Sequence, residues 1–414
     1  MPFPSLRRLV LSVLAASVFA AASPGRAQAE AFLLIEASTG KVLHAENATY
    51  PWYPASVTKL MTLYTTLKAI KDRKLSYDTL LTVSKNAVAQ QPTKMGFKVG
   101  TTVTVDNALK MLMVKSANDV AVTIAEGVGG SLEGFADMMN ANARRLGMTQ
   151  SHFINPNGLP AENHVSSARD LAILGRALIM EFPQDDAYLH VHAIRYGNRV
   201  MRNYNNLLDR YPGADGMKTG FICASGYNLV ASATRNGRRL IVVVLGSYSG
   251  ATRAQKAAQL LERGFDSSGL SWLTPQLGTV DKLAPIDAAP PNLREEMCGG
   301  HRRKPPSEDN QEEEAVNADT SAVPGGGPAF MLSNLKPSAG KYVLGPPVET
   351  VPPVVVFTGP ANHPDPVVAT GTPAKKKKKV AAKPNGEGTA GDKPKSTNSS
   401  AKKQAKPKVS SATQ

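Results

Sequence analysis

Ser56 and Lys59 stand three residues apart at the head of an apolar run, Leu60–Ile70, that has a helical period. Residues at i and i+3 share a helix face, so this spacing sets an amine beside a hydroxyl. A neutral lysine amine can take the proton of a serine and turn its oxygen into a nucleophile. The positive end of the helix also favours negative charge developing on that oxygen. Alone, the pair equally describes an N-cap serine followed by a solvated lysine. Ser116-Ala117-Asn118 interrupts a second helical region, between Ala108–Val114 and Val120–Ala125. Ser and Asn so placed mark a local break; the same groups could relay a proton and hold a substrate carbonyl. Lys218-Thr219-Gly220 combines a cation, a hydroxyl and a glycine that lets backbone approach closely, which suits a carboxylate bound at a strand edge.

The elements that must position these residues follow from the pattern around them. Ala31–Glu36 and Lys41–His44, joined by Ser38-Thr39-Gly40, read as two strands and a turn. Helical patterns cover Leu60–Ile70, Asn107–Val122, Gly134–Leu146 with Gly147 as its cap, and Ser167–Met180. Tyr227–Thr234 and Arg239–Leu245 are strand-like and flank Asn236-Gly237, a strong hairpin signal. Arg253–Phe265 is helical again. Helices between two terminal hairpins predict an α+β domain whose sheet is assembled from both chain ends.

Composition confines this domain to part of the chain. Of 30 prolines in 414 residues, 20 fall after residue 270, which disfavours a packed core there. The net charge is +15, and residues 371–414 hold 12 Lys/Arg against 2 Asp/Glu, so most of the excess belongs to a tail that reads as disordered. At the other end, Arg7 and Arg8 precede an apolar run, Leu9–Ala22, and Ala27-Gln28-Ala29 offers a small-x-small cleavage site. That is a secretory leader, too short to span a membrane. The expected organisation is 1–29 leader, 30–267 catalytic domain, 268–370 linker or small degenerate domain, and 371–414 lysine-rich tail. Two cysteines, Cys223 and Cys298, exclude a multi-cysteine metal site, and nothing in the sequence indicates that they meet. The expected state of Cys223 is a small buried residue on the face of Phe221. His190 and His192 are the one close histidine pair and lack companion ligands. No metal and no cofactor are expected.

Taken together, S-x-x-K, S-x-N and K-T-G, in that order and separated by about 60 and 100 residues, resemble the signature of penicillin-recognising serine acyltransferases and β-lactamases. Tyr53–Lys59, Asn155–Pro160, Ser166–Asp170 and Gly226–Ala231 sharpen the likeness to the D-alanyl-D-alanine carboxypeptidases, the low-molecular-mass penicillin-binding proteins. It covers roughly residues 30–267.

This resemblance implies a β-lactamase/transpeptidase-like fold: an antiparallel sheet flanked by helices, with a helical subdomain. It implies Ser56 as nucleophile, Lys59 as general base and Ser116 as the proton relay to the leaving amine. Like charge from Lys218 would help keep Lys59 neutral. Asn118 would position the peptide; Lys218 and Thr219 would meet its carboxylate, with Gly220 beside them and Arg253 behind. The backbone N–H groups of Ser56 and Ile222 would hold the oxyanion. Phe221 departs from the histidine usual at that position. The implied activity is removal of terminal D-alanine from peptidoglycan stem peptides in the periplasm, with β-lactams as covalent inhibitors. A D,D-endopeptidase is the near alternative. A β-lactamase is disfavoured because Glu162 is the nearest carboxylate to the Asn155–Pro160 region. A non-catalytic envelope protein is the distant alternative, motivated by a tail that could contact anionic membrane or wall. No specific nucleic acid is expected.

Overall fold

Two hairpins far apart in sequence share the sheet that carries the site. The computed structural model describes residues 30–266, 277–300, 344–346 and 351–362; the expected leader and lysine-rich tail lie outside the described residues. The first half contains β1 (Ala31–Glu36), β2 (Val42–Glu46), α1 (Lys59–Lys71), β3 (Leu80–Thr82), α2 (Lys85–Ala89), β4 (Thr102–Thr104), α3 (Val105–Val114), α4 (Asn118–Gly129), α5 (Leu132–Leu146) and α6 (Ala168–Glu181). The second contains β5 (Ala193–Tyr196), β6 (Arg199–Arg202), α7 (Leu207–Arg210), β7 (Ala214–Ile222), β8 (Gly226–Arg235), β9 (Arg238–Ser247), α8 (Gly250–Asp266), α9 (Arg294–Cys298) and β10 (Val354–Val355).

The main sheet has five antiparallel strands in the order β2-β1-β9-β8-β7. Asn236 and Gly237, at φ 50° and 75°, supply the backbone that a tight β8–β9 hairpin needs. β9 is buried from Leu240 to Leu245 because both of its faces are covered. Leu34, Leu229, Val242 and Val244 pack under Ala257, Ala258 and Leu261 of α8. Leu33, Ile35, Val230, Ile241 and Val243 face the larger core shared with α1, α3, α4 and α6. Ser167 caps α6 by accepting from Asp170 N–H, and Gly147 ends α5 at φ 75°. This is the α+β architecture expected, with β7 at an edge of the sheet and the helical layer beside it.

The described pieces beyond residue 270 pack onto this core. Val280 is buried, and its N–H donates to the Gly40 carbonyl at 2.9 Å. Val354–Val355 forms a two-residue strand parallel to β5, and Val356 beside it is buried. Cys223 and Cys298 are joined in a disulfide with a Cα–Cα distance of 5.7 Å. Cys223, expected as a small buried residue, is half-buried and bonded: α9 docks on the turn after β7 and brings the second sulfur to it.

Candidate active site

Ser56 sits on a 3-10 turn, Ala55–Thr58, that leads directly into α1. Side chains at i and i+3 eclipse in such a turn, and Lys59 Nζ lies 2.9 Å from Ser56 Oγ. The same amine donates at 2.8 Å to Asn118 Oδ1 and at 2.8 Å to the Asn157 carbonyl. Lys59 is 0% exposed, so these oxygens stand in for water that a buried amine would otherwise lose. The lysine is thus a fixed component of the site, and the solvated first-turn alternative is excluded. Ala55 holds φ 50°, an uncommon value for a residue with a Cβ.

Two glycines let other chains reach that turn. A Cβ on Gly158, itself at φ 79°, would fall 1.8 Å from the Ala55 carbonyl oxygen. A Cβ on Gly220 would fall 2.8 Å from Ser56 N and 2.9 Å from Val57 N. Gly220 therefore brings the edge strand β7 against the nucleophile turn. Alternation places Lys218 on the same strand face as Gly220. Lys218 is 1% exposed, and its Nζ donates to the Thr219 carbonyl at 3.0 Å.

Ser116 lies in the break between α3 and α4 at φ 57°. Its carbonyl accepts from Thr93 Oγ1 at 2.7 Å, and Asn118 is held by Gln91 and Thr93 carbonyls at 2.9 and 2.8 Å. Asp119 ties down the same loop through the N–H groups of Met95 and Gly96; burial pushes its carboxyl upward while those N–H groups oppose the shift. Among the described residues, the buried hydroxyls of Ser116 and Thr219 have no hydrogen-bond partner. Leaving a buried hydroxyl unsatisfied costs about 1–3 kcal/mol, which a polar substrate could recover.

The structure corrects one assignment. The N–H of Ile222 donates to Ser225 Oγ at 3.3 Å, and Ser225 N–H donates to the Ile222 carbonyl at 3.0 Å. Both polar groups of Ile222 thus face the turn into β8. Successive residues of a strand point their N–H groups to opposite sides, so Phe221 carries the N–H on the free edge of β7. Arg253 lies at the start of α8 and is turned inward. It is 1% exposed and donates to the carbonyls of Asn228 and Tyr204 at 3.2 and 3.4 Å.

Three contributors lie outside the motif residues. The Asn157 carbonyl holds Lys59. Asn228 Nδ2 donates to the carbonyls of Tyr53 and Pro54 at 2.9 and 3.3 Å, clamping the chain just before Ser56. His164 accepts from Ile154 N–H on Nδ1 at 3.0 Å, so Nε2 carries the proton and donates to Thr58 Oγ1 at 2.9 Å. Both asparagines fall inside segments flagged by resemblance, but side-chain type alone does not announce these contacts. His190 and His192 each face a different carboxylate, Asp186 and Asp209. Among the described residues, no group of three or more His, Cys, Asp or Glu is arranged to hold a metal ion.

An antiparallel sheet with a helical layer, and a serine–lysine pair against its edge strand, define the class of penicillin-recognising serine enzymes. The D-alanyl-D-alanine carboxypeptidase family model, peptidase family S11, matches residues 17–249. The chain belongs to that family. It is 38% identical over 244 residues to the D-alanyl-D-alanine carboxypeptidase DacC of Escherichia coli K12, covering 57% of this chain and 61% of that protein. Penicillin binding protein 6B from Escherichia coli shares 35% identity and a TM-score of 0.55, over 57% of this chain and 77% of that one. Penicillin-Binding Protein D2 from Listeria monocytogenes, solved in a cefotaxime-bound form, shares 28% identity and a TM-score of 0.52, over 57% of this chain and 96% of that one. The chain spans 61–64% of the length of the first curated relatives it matches.

Proposed function

We propose that this protein is a serine D,D-carboxypeptidase that removes the terminal D-alanine of peptidoglycan stem peptides through an acyl-enzyme on Ser56. The observation that carries this is the buried Lys59 amine 2.9 Å from Ser56 Oγ. Lys59 takes the proton as Oγ attacks the penultimate carbonyl. The N–H groups of Ser56 and Phe221 hold the oxyanion, an arrangement favoured because Gly220 draws the strand edge against the turn. The hydroxyl of Ser116 passes a proton to the departing D-alanine nitrogen as the C–N bond breaks. Water then hydrolyses the ester and regenerates Ser56. Lys218 and Thr219 receive the terminal carboxylate, while Arg253 braces β8 and the Tyr204 backbone behind them. A β-lactam would acylate the same oxygen.

D-alanine release from an acylated Lys-D-Ala-D-Ala peptide, with labelled penicillin as a second readout, tests the assignment. Ser56→Ala should abolish both; unchanged release in that variant overturns it. The site of action follows from the expected leader: export to the periplasm, with residues 371–414 as a salt-sensitive tether to anionic membrane or wall. Co-sedimentation with anionic vesicles and with wall sacculi should be lost when the chain is truncated after residue 370. Equal pelleting of both forms removes the tether.

A further inference from the structure

Lys115 immediately precedes Ser116 and closes the last turn of α3, where its N–H donates to the Met111 carbonyl at 3.1 Å. Its side chain runs inward. Lys115 is 6% exposed, and its Nζ donates at 2.8 Å to the hydroxyl of Tyr204. The same amine lies 5.4 Å from the centre of the Tyr204 ring, close enough for a cation to be drawn to the aromatic face as well. A buried amine is costly without an acceptor, so this contact is a fixed part of the fold.

Tyr204 is itself firmly mounted. It is buried, and the asparagines on either side lock its backbone. Asn203 Nδ2 donates to the Val191 carbonyl at 2.9 Å, and Asn203 Oδ1 accepts from Asn205 N–H at 3.0 Å. Asn205 Nδ2 donates at 2.7 Å to the carbonyl of Gly216, which stands two residues before Lys218 on β7. The Tyr204 carbonyl accepts from Arg253 at 3.4 Å. Residues 203–205 therefore join the Ser116 break to the strand that bears Lys218 and Thr219.

That junction matters because the two ends of the departing D-alanine are served by different layers. Its carboxylate goes to Lys218 and Thr219 on the sheet, while its nitrogen takes a proton from Ser116 in the helical layer. Proton transfer requires heavy atoms within about 2.6–3.2 Å, so the spacing of the layers has to be held closely. The Ser116 hydroxyl has no partner among the described residues to hold it. Its place is set through the backbone, by Thr93 on the Ser116 carbonyl and by the neighbouring Lys115.

We propose that Lys115 and Tyr204 are positioning residues for leaving-group departure, their hydrogen bond fixing the Ser116 hydroxyl relative to the carboxylate-binding strand. The inference rests on the carboxypeptidase reading above and deepens it.

The test uses the mature full chain and two substrates. One is an N-acetylated Lys-D-Ala-D-Ala peptide; the other is its thioester analogue, with sulfur in place of the nitrogen of the last residue and the carboxylate kept. In both, Ser56 Oγ bonds to the carbonyl carbon. The C–N bond breaks only as nitrogen gains a proton, whereas sulfur leaves with the bonding pair as a thiolate and needs none. Tyr204→Phe keeps the ring and removes the acceptor; Lys115→Met keeps the stem and removes the amine. Each should lower kcat/KM on the amide roughly tenfold more than on the thioester, the size of a misplaced proton donor. The double variant should lose no more than either single one, because both break the same bond. Equal losses on the two substrates, as a merely structural role or poor folding would give, overturn the proposal; so do unchanged kinetics or additive losses in the double variant. A wild type inactive on both substrates overturns the carboxypeptidase reading itself and this proposal with it.

Discussion

His164 makes the nucleophile turn sensitive to acid, and the structure sets the size of the effect. Burial, with a smaller contribution from charge on His152, lowers its pKa from 6.5 to about 3. The fold requires the neutral ring: Nδ1 accepts from Ile154 N–H while Nε2 donates to Thr58 Oγ1, two residues after Ser56. A histidine depressed in the folded state contributes stability above its unfolded pKa and loses it as pH falls. The window here runs from pH 6.5 down toward 3. At about pH 5 the unfolded chain binds a proton that the folded chain refuses, at a cost of about 2 kcal/mol; at about pH 7.5 the cost is near zero. Urea unfolding of wild type and His164→Gln at both pH values isolates this contribution, because other titrating groups are common to both proteins. His164→Gln should be less stable at the higher pH, and the gap should narrow by about 2 kcal/mol at the lower. Protonation of the folded ring would take the acceptor on Nδ1 away from the Ile154 N–H, while Nε2 would go on donating to Thr58 Oγ1. A stability gap that is the same at both pH values refutes the reasoning.

Three further outcomes follow from particular contacts. Ser116→Ala removes a hydroxyl with no partner among the described residues, so thermal stability should hold while acylation by peptide falls by roughly 100-fold or more; a large loss of stability would show that the hydroxyl is structural. Gly220→Ala forces a Cβ to within 2.8 Å of Ser56 N, and the displaced turn should label with penicillin roughly 100-fold more slowly at unchanged far-ultraviolet circular dichroism; wild-type labelling speaks against the close approach. The disulfide closes a loop of 75 residues, for which chain entropy gives at most about 4.5 kcal/mol. Reductant should therefore lower the melting temperature of wild type but not of the paired Cys223→Ser, Cys298→Ser protein. Identical melting with and without reductant contradicts the bond.

Much of the fold is local enough to be read from residue order. Asn236-Gly237 sets a hairpin because few other residue pairs tolerate two positive φ values. Ser167 and Gly147 bound α6 and α5 for equally local reasons. The site residues Ser56, Lys59, Ser116, Asn118 and Lys218 were legible because spacing within three short motifs carries information about chemistry. Non-local partners were not. The third acceptor for Lys59 is the carbonyl of Asn157, 98 residues away, and every residue owns a carbonyl. Asn228 reaches Tyr53 across 175 positions, and Cys223 finds Cys298 only because α9 folds back onto the turn after β7. The direction of an N–H on β7 depends on its pairing with β8, so the structure moves the edge donor from Ile222 to Phe221. Likewise, proline-rich residues after 270 looked unable to form a core of their own. Val280, Met297 and Val356 are buried because they use one already built by residues 30–266. Motif chemistry and helix or turn boundaries belong to sequence because short-range sterics decide them. The clamp on Ser56, the hydrogen bonds of Lys59 and the Cys223–Cys298 disulfide belong to tertiary structure, because each is a meeting of distant segments that only the packed core brings together.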